Sequence, residues 1–110
     1  LPLNPKAMAD ISQEEWAENL SKDTNAVVID VRTEEEMEEG YIKGAINIDI
    51  YQPQEFMDAL EQLDKSKNYF VYCRSGNRSR QACALLNSIG IANAFNLEGG
   101  VLEWEGDLIE

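Results

Sequence analysis

The stretch Tyr69-Phe70-Val71-Tyr72-Cys73-Arg74-Ser75-Gly76-Asn77-Arg78-Ser79-Arg80 constrains this chain more than any other. Tyr69 to Tyr72 are aromatic or β-branched, which suits a packed, pleated surface. The residues after Cys73 include Gly, Asn and two Ser, so the strand must end at or near Cys73. From Ser79 the period changes. Ala82, Cys83, Leu85, Leu86 and Ile89 share one broad helical face. Ser79 and Asn77 are both candidate caps for that helix. The pattern predicts a strand over 69–73, a tight cationic loop and a helix over 79–89, with a cysteine at the first position of the loop.

A loop entering a helix points unpaired backbone N–H groups at whatever sits in its mouth. Here that is the sulfur of Cys73. Backbone donors, the helix dipole and the guanidinium groups of Arg74 and Arg78 favour thiolate over thiol. Such surroundings lower a thiol from its ordinary pKa of about 8.5 to roughly 4–7. The chain contains no histidine, so Cys-His dyads and triads are excluded within it. The same donors suit an oxyanion. Thiosulfate would set its oxygens against N–H groups and arginine while its outer sulfur meets the thiolate. That sulfur would pass to Cys73 as a persulfide, whose own negative charge the loop would also stabilise.

Cys73-Arg74-Ser75-Gly76-Asn77-Arg78-Ser79 resembles the active-site loop of the rhodanese family, the thiosulfate sulfurtransferases. Val28-Ile29-Asp30-Val31-Arg32 is similar to that family's early strand with its Asp-x-Arg ending. Gly40-Tyr41-Ile42-Lys43-Gly44-Ala45-Ile46-Asn47-Ile48 resembles its Gly-His-Ile-x-Gly-Ala-x-Asn-Ile segment, with Tyr41 where the family usually has His. Asn96-Leu97-Glu98-Gly99-Gly100 with Trp104 resembles its closing turn and tryptophan. The blocks stand in family order over about residues 27–104. The resemblance implies an α/β, rhodanese-like three-layer fold with a central parallel sheet flanked by helices. It implies Cys73 as the persulfide-bearing nucleophile, Arg74 and Arg78 as a cationic rim, and the N–H groups of residues 74–78, through Ser75, Gly76 and Asn77, as a cradle for sulfur. Asp30, Arg32 and Ser79 are supporting candidates. Asp30 reads first as a structural carboxylate at the sheet end and second as an orienter of Arg78 or the loop. The expected activity is transfer of sulfane sulfur from thiosulfate or another persulfide donor to cyanide or a thiol. The alternatives are a persulfide relay with a protein partner, or a cysteine-dependent phosphatase or arsenate reductase. The phosphatase loop is Cys-x5-Arg, whereas here Arg78 follows Cys73 after four intervening residues.

The 110 residues predict one domain over 9–110, with residues 1–8 a flexible lead-in, either a cloning remnant before Met8 or the start of a chain whose leader has been removed. Two cysteines make no disulfide framework, and Cys83 reads as core filler rather than a resolving thiol. The formal net charge of -12 argues against nucleic-acid and anionic-membrane partners. Three of the four arginines, Arg74, Arg78 and Arg80, crowd the cysteine, a small positive pocket on a negative body. A small anion is then repelled at long range, with capture helped by salt, while a basic protein partner is steered in. No zinc spacing or nucleotide fingerprint is present, no metal or cofactor is expected, and a cytoplasmic location is expected.

The rest of the chain alternates strand and helix signals. Ile11 begins a very short strand, and Ser12-Gln13-Glu14-Glu15 is a capping-box pattern opening a helix over 12–21. Ala26 to Val31 is an almost unbroken apolar run, suited to a central parallel strand. Thr33-Glu34-Glu35-Glu36 opens a short acidic helix anchored inward by Met37, its carboxylates helix complements and solvated surface rather than metal ligands. A strand at 45–48, a helix from Pro53 to about Leu63, a cap at Gly90 and a strand at 94–97 complete the pattern. Gly99-Gly100 is a turn admitting positive φ, and Trp104 belongs to the core.

Overall fold

The apolar runs become parallel strands because short helical crossovers return the chain to the same end of the sheet each time. The computed structural model describes residues 10–110. In chain order its elements are β1 (Asp10–Ile11), α1 (Gln13–Lys22), β2 (Ala26–Asp30), α2 (Glu34–Met37), β3 (Ile46–Asn47), α3 (Pro53–Glu61), β4 (Asn68–Tyr72), α4 (Asn77–Ser88), β5 (Ala94–Leu97) and a 3-10 turn at Gly100–Leu102. The sheet runs β1-β5-β4-β2-β3, with every pairing parallel. The two longest strands, β2 and β4, lie side by side in register from Ala26↔Asn68 to Asp30↔Tyr72. The proposed lead-in, residues 1–8, lies outside the described residues.

Strand alternation sorts the core into two layers. Tyr69, Val71 and Cys73 face α3 and α4, packing with Phe56, Leu60, Ala82, Cys83 and Leu86. Phe70 and Tyr72 face the other way, onto Trp16 of α1, Leu97 and Ile42, with Trp104 against this layer. Trp16 is fully buried and meets Phe70, Tyr72 and Trp104 edge-on, while its indole N–H donates to the Phe95 carbonyl at 3.2 Å. The result is helix, sheet, helix, the three-layer arrangement that the sequence implied.

Several boundaries differ from the sequence expectation. The cysteine helix begins at Asn77, two positions before Ser79, and neither Ser79 nor Asn77 caps it. Gly76, at φ 104°, turns the chain into the helix without a side-chain cap. β3, the edge strand beside β2, pairs only over Ile46–Asn47. Met37 is only half-buried and belongs to neither core layer. The inward group of α2 is instead Glu36, which closes the capping box with Thr33. Tyr41 meets the C-terminal segment through its backbone. It forms an isolated antiparallel bridge to Ile109, with N–H to carbonyl distances of 2.9 and 2.7 Å.

Tyr72 links the two layers to the loop after α2. Its phenol oxygen accepts from the backbone N–H of Ile42 at 3.0 Å, and burial pushes its ionisation well above the ordinary tyrosine range. Tyr72→Phe removes that acceptor and strands a buried N–H. The expected loss is about 1–3 kcal/mol, read as a lower denaturant midpoint with an unchanged slope.

Candidate active site

The carboxyl ends of β4 and β2 meet α4 where the loop from Cys73 to Gly76 turns, at the end of the sheet where parallel α/β folds hold ligands. Cys73 is fully buried. Its Sγ accepts from the Gly76 N–H at 3.1 Å, the Ser79 N–H at 3.4 Å and the Ser79 hydroxyl at 3.3 Å. Burial pushes the thiol up, but hydrogen bonds from the Ser79 hydroxyl and the amides of Ser79, Gly76 and Ser75 outweigh it and leave Cys73 below the usual thiol range. The hydrogen bonds on Sγ come from Gly76 and Ser79, and the Ser75 amide also favours the anion. Cys83 lies in the core with its thiol pushed up to about 12 by burial, as expected of filler.

The loop is clamped from behind. The carbonyls of Cys73 and Arg74 accept from the N–H groups of Val101 and Leu102, each at 3.0 Å. Gly100, at φ 61°, lets the 3-10 turn approach this closely, since a Cβ there would overlap the carbonyls of Cys73 and Arg74. The double-glycine turn thus holds the shape of the loop.

The arginines divide. Arg74 is exposed at the rim, and Asn77 lies exposed beside it at the start of α4. Arg78 turns to Glu36 and makes a two-pronged pair at 2.8 Å on each arm, with its guanidinium 5.2 Å from the centre of the Tyr51 ring. Arg78 also feels the charge of Cys73. Asp30 does not orient Arg78. It takes the Arg32 side chain at 2.7–3.0 Å, while Arg32 also donates to the Gly40 carbonyl at 2.7 Å. The pair is buried, so Asp30 has the structural role read first from the sequence, and Arg32 is its partner there. A cavity of about 180 Å³ next to the loop is lined by Arg32, Glu36, Glu39, Gly40, Arg74, Val101, Leu102 and Leu108. Arg80 lies outside this group and pairs with Asp10 at 2.9 Å.

Two residues close to the sulfur site carry no signal in the sequence that marks them as site residues. Glu36 sits 42 positions from Arg78, and its only local signal is the capping box. Asn96, buried on β5, contacts the Ser79 hydroxyl and the Gly76 carbonyl.

The Arg78 guanidinium holds the Glu36 carboxyl down at about 2. A carboxyl lowered on folding contributes stability that is fully present above about pH 4.5 and lost as pH falls through about 2. Glu36→Gln is expected to cost about 1–3 kcal/mol near neutrality, because Arg78 keeps its charge without a partner. The gap between the denaturant midpoints of variant and wild type should narrow steadily below about pH 4. A gap independent of pH would contradict the pairing.

A family model described as the rhodanese-like domain matches residues 13–107. YtwF of Bacillus subtilis is 38% identical over 98 residues, covering 89% of this chain and 91% of that protein. A protein named "Sulfurtransferase" from Allochromatium vinosum is 31% identical over 96 residues, covering 86% of each chain. The crystal structure of a rhodanese-like domain protein from Staphylococcus aureus superposes with a TM-score of 0.76 at 32% identity, covering 91% of this chain and 95% of that one. Longer proteins named tRNA uridine(34) hydroxylases also match, and the chain covers 27–38% of their length. The chain belongs to the rhodanese family. That membership supports sulfurtransferase-type catalysis in general. Among the described residues, no helix is long and apolar enough to cross a membrane.

Proposed function

We propose that the chain is a sulfurtransferase that carries sulfane sulfur as a persulfide on Cys73. The observation that supports this most is the set of donors on Sγ, with the Ser79 hydroxyl and the Ser79, Gly76 and Ser75 amides all favouring the anion. The Cys73 thiolate attacks the outer sulfur of the donor, the donor's S–S bond breaks, and the leaving group departs with the bonding pair. With thiosulfate the leaving group is sulfite. Cyanide or a thiolate then attacks the terminal sulfur, and Cys73 leaves as thiolate. Arg74, Ser75, Gly76, Asn77 and Arg78 surround the donor, with Ser79 supporting the sulfur and the Asp30–Arg32 pair bracing the wall behind. A reducing compartment such as the cytoplasm suits a site built on a free thiol.

A relay with a protein partner is favoured by one specific observation. Arg78 is committed to Glu36, so among the described residues an incoming dianion meets Arg74 as the unpaired arginine at the loop. A protein or low-molecular persulfide brings less charge to the loop. The commitment of Arg78 also counts against phosphoryl transfer, which needs that guanidinium on the transferring group. The test measures thiocyanate formation with thiosulfate, then with glutathione persulfide, and phosphate release from p-nitrophenyl phosphate. Turnover with either sulfur donor supports the proposal, with a lower KM for the persulfide expected. Phosphate release without sulfur transfer would overturn it.

A further inference from the structure

Asn96 is a fully buried polar residue on β5 that the proposed chemistry does not use. Its Nδ2 donates to Asp10 Oδ1 at 2.6 Å and to the Gly76 carbonyl at 3.1 Å. Both partners only accept, so they fix the amide with its nitrogen on that side. The Asn96 Oδ1 consequently faces the Ser79 hydroxyl and accepts from it. That hydroxyl also lies 3.3 Å from Cys73 Sγ. One amide therefore grips both a residue whose hydroxyl meets the sulfur and the residue whose N–H meets it. Asp10 is itself held by Arg80 at 2.9–3.0 Å, so the chain of contacts runs from the surface to the sulfur.

We propose that Asn96 is a positioning residue for the sulfur site, holding Ser79 and Gly76 so that their donors converge on Cys73. Ser79 has one hydroxyl proton and two acceptors, Asn96 Oδ1 and Cys73 Sγ. In the thiol form, Ser79 donates to Asn96. In the anionic form it turns its proton to sulfur without moving its oxygen. In the anionic form Asn96 gives up its bond to the Ser79 hydroxyl and holds the site through Nδ2, which keeps the Gly76 carbonyl in place. The inference rests on Cys73 being the reacting thiol, but its test reads the thiol directly.

Among the charges bearing on the sulfur, the Asp10–Arg80 pair loses one donor when Asn96 changes, while Arg78 and Glu36 make no contact with Asn96. Arg78 and Arg80 on α4 are paired with Glu36 and Asp10, Glu98 acts on Arg80, and Cys83 on the same helix is a buried neutral thiol. The experiment titrates the Cys73 thiolate by its ultraviolet absorbance in a Cys83→Ala background. Variants are Asn96→Ala, Ser79→Ala, the double variant, and Asn96→Leu, which keeps the volume while removing the hydrogen bonds. Asn96→Ala and Asn96→Leu are expected to raise the titration midpoint by about one pH unit. In the Ser79→Ala background the rise should be clearly larger, because with Ser79 present the loss of Asn96 also frees the Ser79 proton for sulfur and offsets part of the rise. A folded Asn96→Leu protein with an unchanged or lower midpoint would overturn the proposal, as would full additivity. The titration does not depend on turnover, so a failure here is distinct from a failure of sulfur transfer.

Discussion

A Cys73→Ser variant is expected to fold as the wild type and to lose sulfane transfer by at least about 10³-fold. The substitution exchanges sulfur for oxygen at a fully buried position, with little change in volume. The three donors at 3.1–3.4 Å find an oxygen acceptor in its place, so no buried N–H is orphaned. Stability should change by less than about 1.5 kcal/mol. Chemistry should not survive. A serine hydroxyl stays protonated where the thiol is already below its usual range, and it forms no persulfide. Thermal unfolding and the thiocyanate assay on the same sample separate the two effects. Residual activity above about a hundredth of wild type would point to another nucleophile.

Gly100→Ala is expected to damage both fold and chemistry from a position that touches no substrate. The added Cβ would stand 2.6 Å from the Cys73 carbonyl oxygen and closer still to the Arg74 carbonyl, at φ 61°. These are backbone atoms of the loop itself, so no flexible side chain can give way. The turn must retreat, and the bonds from Val101 and Leu102 to the loop carbonyls stretch or break. The expected cost is about 2–4 kcal/mol from overlap and left-handed backbone together. Displacing the loop also spoils the aim of the Ser75 and Gly76 amides, so turnover should fall by about 10²-fold. The thiolate midpoint should rise in the same variant. Lost stability with an unshifted midpoint would mean that the turn supports the fold alone.

What is legible in the sequence is what local pattern can carry. The aromatic run before Cys73, the turn residues after it and the apolar face of α4 specify strand, loop and helix without reference to the rest of the chain. The double glycine announces positive φ, and both Gly99 and Gly100 adopt it. The sequence pattern puts the helix start two residues late, because Ser and Asn are better caps than Gly in general, whereas this loop needs left-handed backbone at Gly76. The partners of the site are hidden for a different reason. Glu36 lies 42 residues from Arg78, and Asn96 lies 17 residues from Ser79, so only the sheet order brings them together. Glu36 reads as a cap, and it is one, but the same carboxylate also takes Arg78. Asp30 is legible as a sheet-end carboxylate, since Arg32 stands two residues away and a local pair closes the charge.

The most direct measurement is the intact mass of the reduced protein after incubation with thiosulfate or glutathione persulfide, with Cys73→Ser alongside. Sulfur transfer through Cys73 predicts a gain of one sulfur atom on the native chain, removed by cyanide and absent from Cys73→Ser. A folded, reduced protein that gains no sulfur from either donor, or gains it equally without Cys73, would contradict a persulfide on this residue.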